Sequence, residues 1–233
     1  DKIILRWAKA IKEGEKDFVI WEDPTYRAPH KEALVETYKA CDVICPNLEI
    51  FLSQNQKQRR FYLDLIKDGT RNLWFYQCSG PARTLDPEFY HRLQAWYCFR
   101  YGAKGSGFWA YGDSGGSPWN VYAATRIIYS PVYLGEKDVT DGKHFEAIRE
   151  GIEDYEYLSF LKDIAEKAKD PSVSKQARDL LLKVLNMAIG PYRSDLKWWP
   201  KKKVYGLCDR ARLSIFRLIE EKKEFIRDIF EGR

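Results

Sequence analysis

The apolar positions of this chain change period several times, and each change marks an element. Ile3, Ile4, Trp7, Ala8 and Ile11 recur at helical spacing and stop at Gly14, which reads as an amphipathic helix with a glycine C-cap. "FVIWEDP" (18–24) then runs apolar without alternation until Pro24, as a buried strand does. The pattern predicts a helix over 30–40, a strand in "DVICPN" (42–47), a helix over 52–67 and a strand in "NLWFYQCSG" (72–80). The helix predicted over 85–102 has Asp86 in the capping position and Pro87 at its first helical position. "GFWAYG" (107–112) follows as a fourth strand.

Strand and helix alternate through this stretch, which is the order of a parallel α/β fold. Strands that are apolar on both of their faces predict cover on both faces of the sheet. Four βα units do not close a barrel, which usually takes eight parallel strands, while an open sheet would leave the flat edge of "FVIWEDP" exposed. The expected fold is therefore α/β, the C-terminal portion of a (β/α)8 TIM-type barrel followed by a C-terminal helical extension. Residues 1–133 would form the rear half of the barrel, and 134–233 its terminal helix and a helical appendage. Within these bounds "TRIIYSPVY" (125–133) holds a short β segment, and helices are predicted over 144–161, 174–189 and 206–229.

In parallel α/β folds, ligands meet the C-terminal ends of the strands. Here those ends carry Glu22 and Asp23, Asn47, Tyr76 and Gln77, and the loop from Trp109 to Asn120. Amides and phenols match the mixed donor and acceptor character of sugar hydroxyls, and the alternative is that they satisfy loop backbone. Trp109, Tyr111 and Trp119 are flat enough to stack on a pyranose, with Asp113 and Asn120 beside them for its hydroxyls. The competing reading places these rings in the core. Strand alternation puts Trp109 and Tyr111 on one face, and Phe108 and Ala110 on the other. Glu22 and Asp23 serve as sugar contacts or acid/base groups on one reading, and as a turn cap and an ion-pair partner on the other. Cys78 has no histidine in a motif beside it and reads as a core thiol.

In "REGIEDYEY" (149–157), Arg149 and Glu153 stand at salt-bridge spacing, whereas Glu150 and Asp154 form a like-charge pair that needs outside partners. The run reads as a structural latch, and His144 ahead of it as a residue of the helix start. Composition removes other classes. The net charge of +5 is spread over mixed-sign helices, and the one dense basic run, Lys201–Lys203, is too short for a nucleic-acid stripe. Five cysteines and three histidines show no zinc spacing, so no metal and no cofactor is expected. No stretch approaches a membrane span. The chain opens at Asp1 directly into a helical pattern, which leaves secretion or a cell-surface location open.

"HFEAIREGIEDYEYLSFL", "LWFYQCSGP", "GFWAYGDSGGSPWN" and "YGLCDRARLSIFRLIEE", in that arrangement, resemble the C-terminal part of glycoside hydrolase family 123-like proteins and their uncharacterised relatives. The resemblance covers essentially the whole chain. It implies a (β/α)8 barrel with trailing helices that acts on β-linked N-acetylgalactosamine or another amino-sugar glycan. It also implies a retaining, substrate-assisted mechanism, an exception to the usual double displacement. The adjacent Asp-Glu pair of that mechanism is absent from these residues and is expected upstream of Asp1, leaving Glu22 and Asp23 as the candidates within the chain. The expected partners are then a carbohydrate and the N-terminal half of the same polypeptide. The alternative is a non-catalytic carbohydrate-binding or structural domain of a larger surface protein. An open-sheet nucleotide binder fits less well, because no glycine-rich phosphate loop follows the first strand.

Overall fold

Helix α1 (Lys2–Gly14) leads into strand β1 (Trp21–Glu22), the first of four parallel strands. The others are β2 (Val43–Ile44), β3 (Asn72–Cys78) and β4 (Gly105–Trp109), arranged in chain order β1-β2-β3-β4. The architecture comes from a computed structural model that describes residues 1–78, 80, 86–112, 119, 130–190 and 206–231. The chain is thus mixed α/β around a parallel four-stranded sheet.

The connecting helices are shorter than the periodicity predicts, because local caps interrupt them. The 30–40 segment divides into α2 (Pro29–Glu32) and α3 (Val35–Lys39), with extended backbone at Ala33 between them. The long helix expected over 52–67 becomes α4 (Leu48–Ser53) and α5 (Gln56–Leu65). Asn55 and Gln58 form a reciprocal capping box that starts α5 afresh. Asp86 accepts the Glu88 N–H at 2.8 Å, as its capping position requires. The segment after it opens as a π-helical turn (Glu88–Arg92) before settling into α6 (Leu93–Tyr101). α6 ends on Gly102 in the left-handed region, where glycine carries no Cβ penalty.

These helices cover one face of the sheet. Leu73, Phe75 and Gln77 of β3 are buried toward them, with the Phe75 ring 4.9 Å from that of Phe51. Ser106 donates to Gln94 Oε1 at 2.8 Å, and Phe108 meets the edge of His91 at 5.4 Å. The opposite face carries Trp74, Tyr76, Cys78 and Trp109. Trp74 and Trp109 are exposed there, as is Trp21 on the edge strand. Residues suited to cover on both faces therefore meet helices on one face and leave an open aromatic surface on the other.

Beyond β4 an antiparallel hairpin, β5 (Val132–Leu134) and β6 (Val139–Asp141), precedes the helical part. The helices are α7 (Lys143–Lys167), α8 (Pro171–Ala188), α9 (Leu207–Lys222) and, after a 3-10 turn, α10 (Arg227–Glu231). Asp170 caps α8 through the Ser172 N–H at 2.7 Å, with Pro171 at the first position. One hydrophobic core runs from Tyr38 and Phe51 through Trp96 to Leu161, Val184 and Ile215, joining the helical part to the sheet layer.

The "REGIEDYEY" run is the hub of that junction. Asp154 is buried on α7 and accepts Arg92 Nε at 2.7 Å, Arg212 Nε at 2.7 Å and Trp96 Nε1 at 2.9 Å. Arg92 also donates to Asp209 at 2.7 Å, and Arg212 reaches Glu150 at 2.6 Å. The like-charged Glu150 and Asp154 thus find their outside partners in two arginines from other elements. Gly151 sits between them at the close approach of α7 to the π-helical turn. A Cβ there would lie 2.8 Å from the Arg92 carbonyl oxygen.

Candidate functional site

The parallel register decides which strand-end residues share a face. Asn47 bridges Tyr76, and Cys78 pairs with Trp109, so these four project on the open side. On β1, Glu22 pairs with Ile44, whose partner Leu73 is buried under the helices. Glu22 accordingly lies on the helix side, where its charge reaches Tyr38 and Cys41. Asp23, one residue on, turns to the open side, and its charge is felt by Tyr76 and Cys45.

Two adjacent carboxylates are therefore divided between two environments. Burial raises the Glu22 carboxyl above its usual range, and the Asp23 charge adds to this. Asp23 is exposed at the rim. Burial and then the Asp23 charge push the Tyr76 phenol up to about 12, against a hydrogen bond with Asn47. Tyr76 therefore keeps its O–H as a donor at neutral pH. Burial likewise pushes the Cys45 thiol up to about 12, despite a hydrogen bond from Trp21. Neither the phenol nor this thiol is set up as a nucleophile.

Asn47 serves the scaffold. Its Oδ1 accepts the Ile50 N–H at 3.1 Å and caps α4, while its Nδ2 donates to Cys78 Sγ at 3.7 Å. Gln77 is 1% exposed on the helix side, and neither of its amide atoms has a hydrogen-bond partner among the described residues. Across Phe108 from it, His91 is 3% exposed, and both of its ring nitrogens lack hydrogen-bond partners among the described residues. The strand-end residues left on the open face are Asp23, Tyr76, Cys78 and Trp109, the last 61% exposed.

Tyr111 and Trp119 belong to a second group around the hairpin. The Tyr111 ring meets Phe145 edge-on at 6.2 Å, and its carbonyl accepts the Ser130 hydroxyl. Trp119 lies 5.0 Å from Tyr133 at an interplanar angle of 31°, and its Nε1 donates to the Leu134 carbonyl at 3.0 Å. Asp113 and Asn120, like the basic run Lys201–Lys203, lie outside the described residues. Sequence reasoning passed over Trp74 and Tyr133. Trp74 was available from alternation, two residues before Tyr76 on the same face. Tyr133 carried no periodic signal linking it to Trp119, 14 positions earlier.

Among the described residues no group of three or more histidine, cysteine or acidic side chains is placed to hold a metal ion. All five cysteines are free thiols. No helix among the described residues is long and apolar enough to cross a membrane. No protein-family model matches this chain, and no curated protein matches it.

Proposed function

We propose that this chain is the C-terminal part of a (β/α)8 barrel of the glycoside hydrolase family 123 type, and that it binds an amino-sugar glycan at the strand ends. The observation that carries the reading is the grouping of Asp23, Tyr76 and Trp109 on one face of the sheet, at the C-terminal ends of three parallel strands. Trp109 offers a plate for the apolar face of a pyranose. Asp23 accepts from sugar hydroxyls, and Tyr76 both donates and accepts. Asn47 holds this group in place through its cap and its contact with Cys78. The open aromatic sheet face supports the barrel part of the reading, because parallel sheets occur almost only with both faces covered. So do the exposed Ile3 and Trp7 on α1, and the edge position of β1 among the described strands. Further βα units from the N-terminal half of the same polypeptide would cover all three.

A second reading is favoured by the orientation of Glu22. Ordinary glycosidases use two carboxylates flanking the bond. Among the described strand ends, Asp23 is the one carboxylate turned to the open side. A non-catalytic carbohydrate-binding domain needs no more than that. Calorimetric titration with N-acetylgalactosamine tests the binding common to both. Asp23→Asn and Trp109→Ala should weaken binding without lowering the melting temperature. Unchanged affinity in both variants, or no binding by the parent chain, overturns the site. Neither reading expects turnover of an aryl N-acetyl-β-galactosaminide by this chain alone; turnover would overturn the non-catalytic reading and put the acid within these residues, with Asp23 the first to test.

A further inference from the structure

The geometry points to a second saccharide subsite, the ledge formed by Trp119 and Tyr133 beside the β5–β6 hairpin, so that the ligand is an oligosaccharide rather than a single sugar. The inference rests on the reading of the strand-end site as a sugar site and extends it with residues that site does not use. The ledge is a prepared surface. Trp119 is 57% exposed, yet its one polar atom is held by the Leu134 carbonyl at 3.0 Å, so the indole presents a fixed face. Tyr133 supports it at 5.0 Å and 31°, close to an offset stack. Beside Tyr133 a small cleft of about 70 Å³, lined also by Pro131, Gly142, Lys143 and His144, has room for one exocyclic substituent and little more.

Charge around the ledge selects the ligand class. The hairpin and the residues flanking it carry Glu136, Lys137, Asp138, Asp141 and Lys143, signs interleaved. Nucleic acid or an anionic lipid surface calls for a field of one sign. A neutral, hydroxyl-bearing ring fits both the plate and the mixed rim. Position links the ledge to the strand-end site. Gly112 lies three positions on from Trp109, at most about 11 Å of chain. Gly112 in turn lies against Leu134, whose carbonyl holds Trp119. A glycan leaving Trp109 along this path reaches the ledge within a few sugar units.

The test is calorimetric titration of the full chain with N-acetylgalactosamine and with a linear β-linked trisaccharide carrying N-acetylgalactosamine at its non-reducing end. The trisaccharide should bind about tenfold more tightly, the worth of one good ring contact. Trp119→Ala should abolish that preference and leave the monosaccharide affinity unchanged. Tyr133→Leu, which keeps apolar volume in the hairpin, should do the same. A preference that survives both variants, or none in the parent chain while the monosaccharide binds, overturns the ledge alone. A fall in melting temperature with both affinities intact would make the ledge a packing surface and overturn it too. Failure of the monosaccharide to bind would sink the strand-end reading and the ledge with it.

Discussion

Asp154→Ala should cost this protein about 3 kcal/mol of stability, the low end of what breaking a buried ion pair costs. The carboxylate has no exposed side-chain surface and accepts from two guanidinium groups and an indole. Its removal leaves Arg92 and Arg212, both largely buried, facing an apolar gap, and leaves the Trp96 N–H without its acceptor. Asp209 at 2.7 Å from Arg92 and Glu150 at 2.6 Å from Arg212 retain part of the compensation, which is why the low end applies. Against a typical stability of about 5–15 kcal/mol this is a large fraction. In a chain of this size it lowers the melting temperature by about 6–12 °C. Urea unfolding followed by far-UV circular dichroism measures it directly. A double-mutant cycle with Arg212→Ala should give a coupling of at least about 1 kcal/mol. The exposed pair Arg149–Glu146 is the control, and Glu146→Ala should stay within about 0.5 kcal/mol of the parent. If Asp154→Ala were as mild as that control, the hub would be a surface decoration and the argument for it would fail.

Three other measurements probe separate parts of the fold. Burial, then the nearby His144, hold His91 down to about 3, so the unfolded chain binds a proton there that the native state refuses. The stability contributed by neutral His91 is full above about pH 6.5 and is lost as pH falls toward 3, at up to about 1.4 kcal/mol per unit. The drop in urea midpoint between pH 7 and about pH 4.5 should accordingly shrink in His91→Phe; an equal drop in both proteins contradicts this. Gly151→Ala should destabilise by about 1–3 kcal/mol despite the better helix propensity of alanine, because the atom it meets is the Arg92 backbone carbonyl. Thermal melts check it, and a rise in melting temperature would show that α7 can retreat. Asn47→Ala should cost about 1 kcal/mol through the lost α4 cap and also weaken sugar binding by loosening Cys78 and Tyr76. Loss of stability with sugar affinity intact would confine Asn47 to the cap.

The element order and the parallel sheet were legible because apolar runs and punctuation agree: Gly14, Pro24, Pro46 and the Asp86–Pro87 start each fall where an element ends or begins. The subdivision of 52–67 was not, because one Asn–Gln capping box outweighs a continuous helical period. The latch was half legible. Its spacing announced that Glu150 and Asp154 need outside cations, while the identity of those cations, Arg92 and Arg212, depends on packing between elements 58 to 62 residues apart. Of the site, the strand-end positions could be read from the chain. Their faces could not, because with β1 only two residues long, the sheet register alone tells which of Glu22 and Asp23 turns inward.

That division gives neighbouring residues opposite jobs, and it can be tested at a single peptide bond. Glu22 and Asp23 differ in what surrounds them. Glu22 sits under the helices with its carboxyl raised by burial, and Asp23 stands at the open rim. A carboxyl raised in the folded state destabilises that state wherever the unfolded chain has already lost its proton, and does nothing at a pH below both values. Glu22→Gln should therefore raise stability at neutral pH, with the gain vanishing under acidic conditions where both states are protonated, and should leave sugar affinity alone. Asp23→Asn should weaken sugar binding and, by relieving its repulsion of the Glu22 carboxylate, raise stability at neutral pH by less than Glu22→Gln does. Urea titrations at the two pH values, paired with calorimetry on the same proteins, read all four outcomes. If Glu22→Gln were the substitution that weakened the sugar, the register would have been assigned to the wrong face, and with it the grouping of Tyr76 and Trp109.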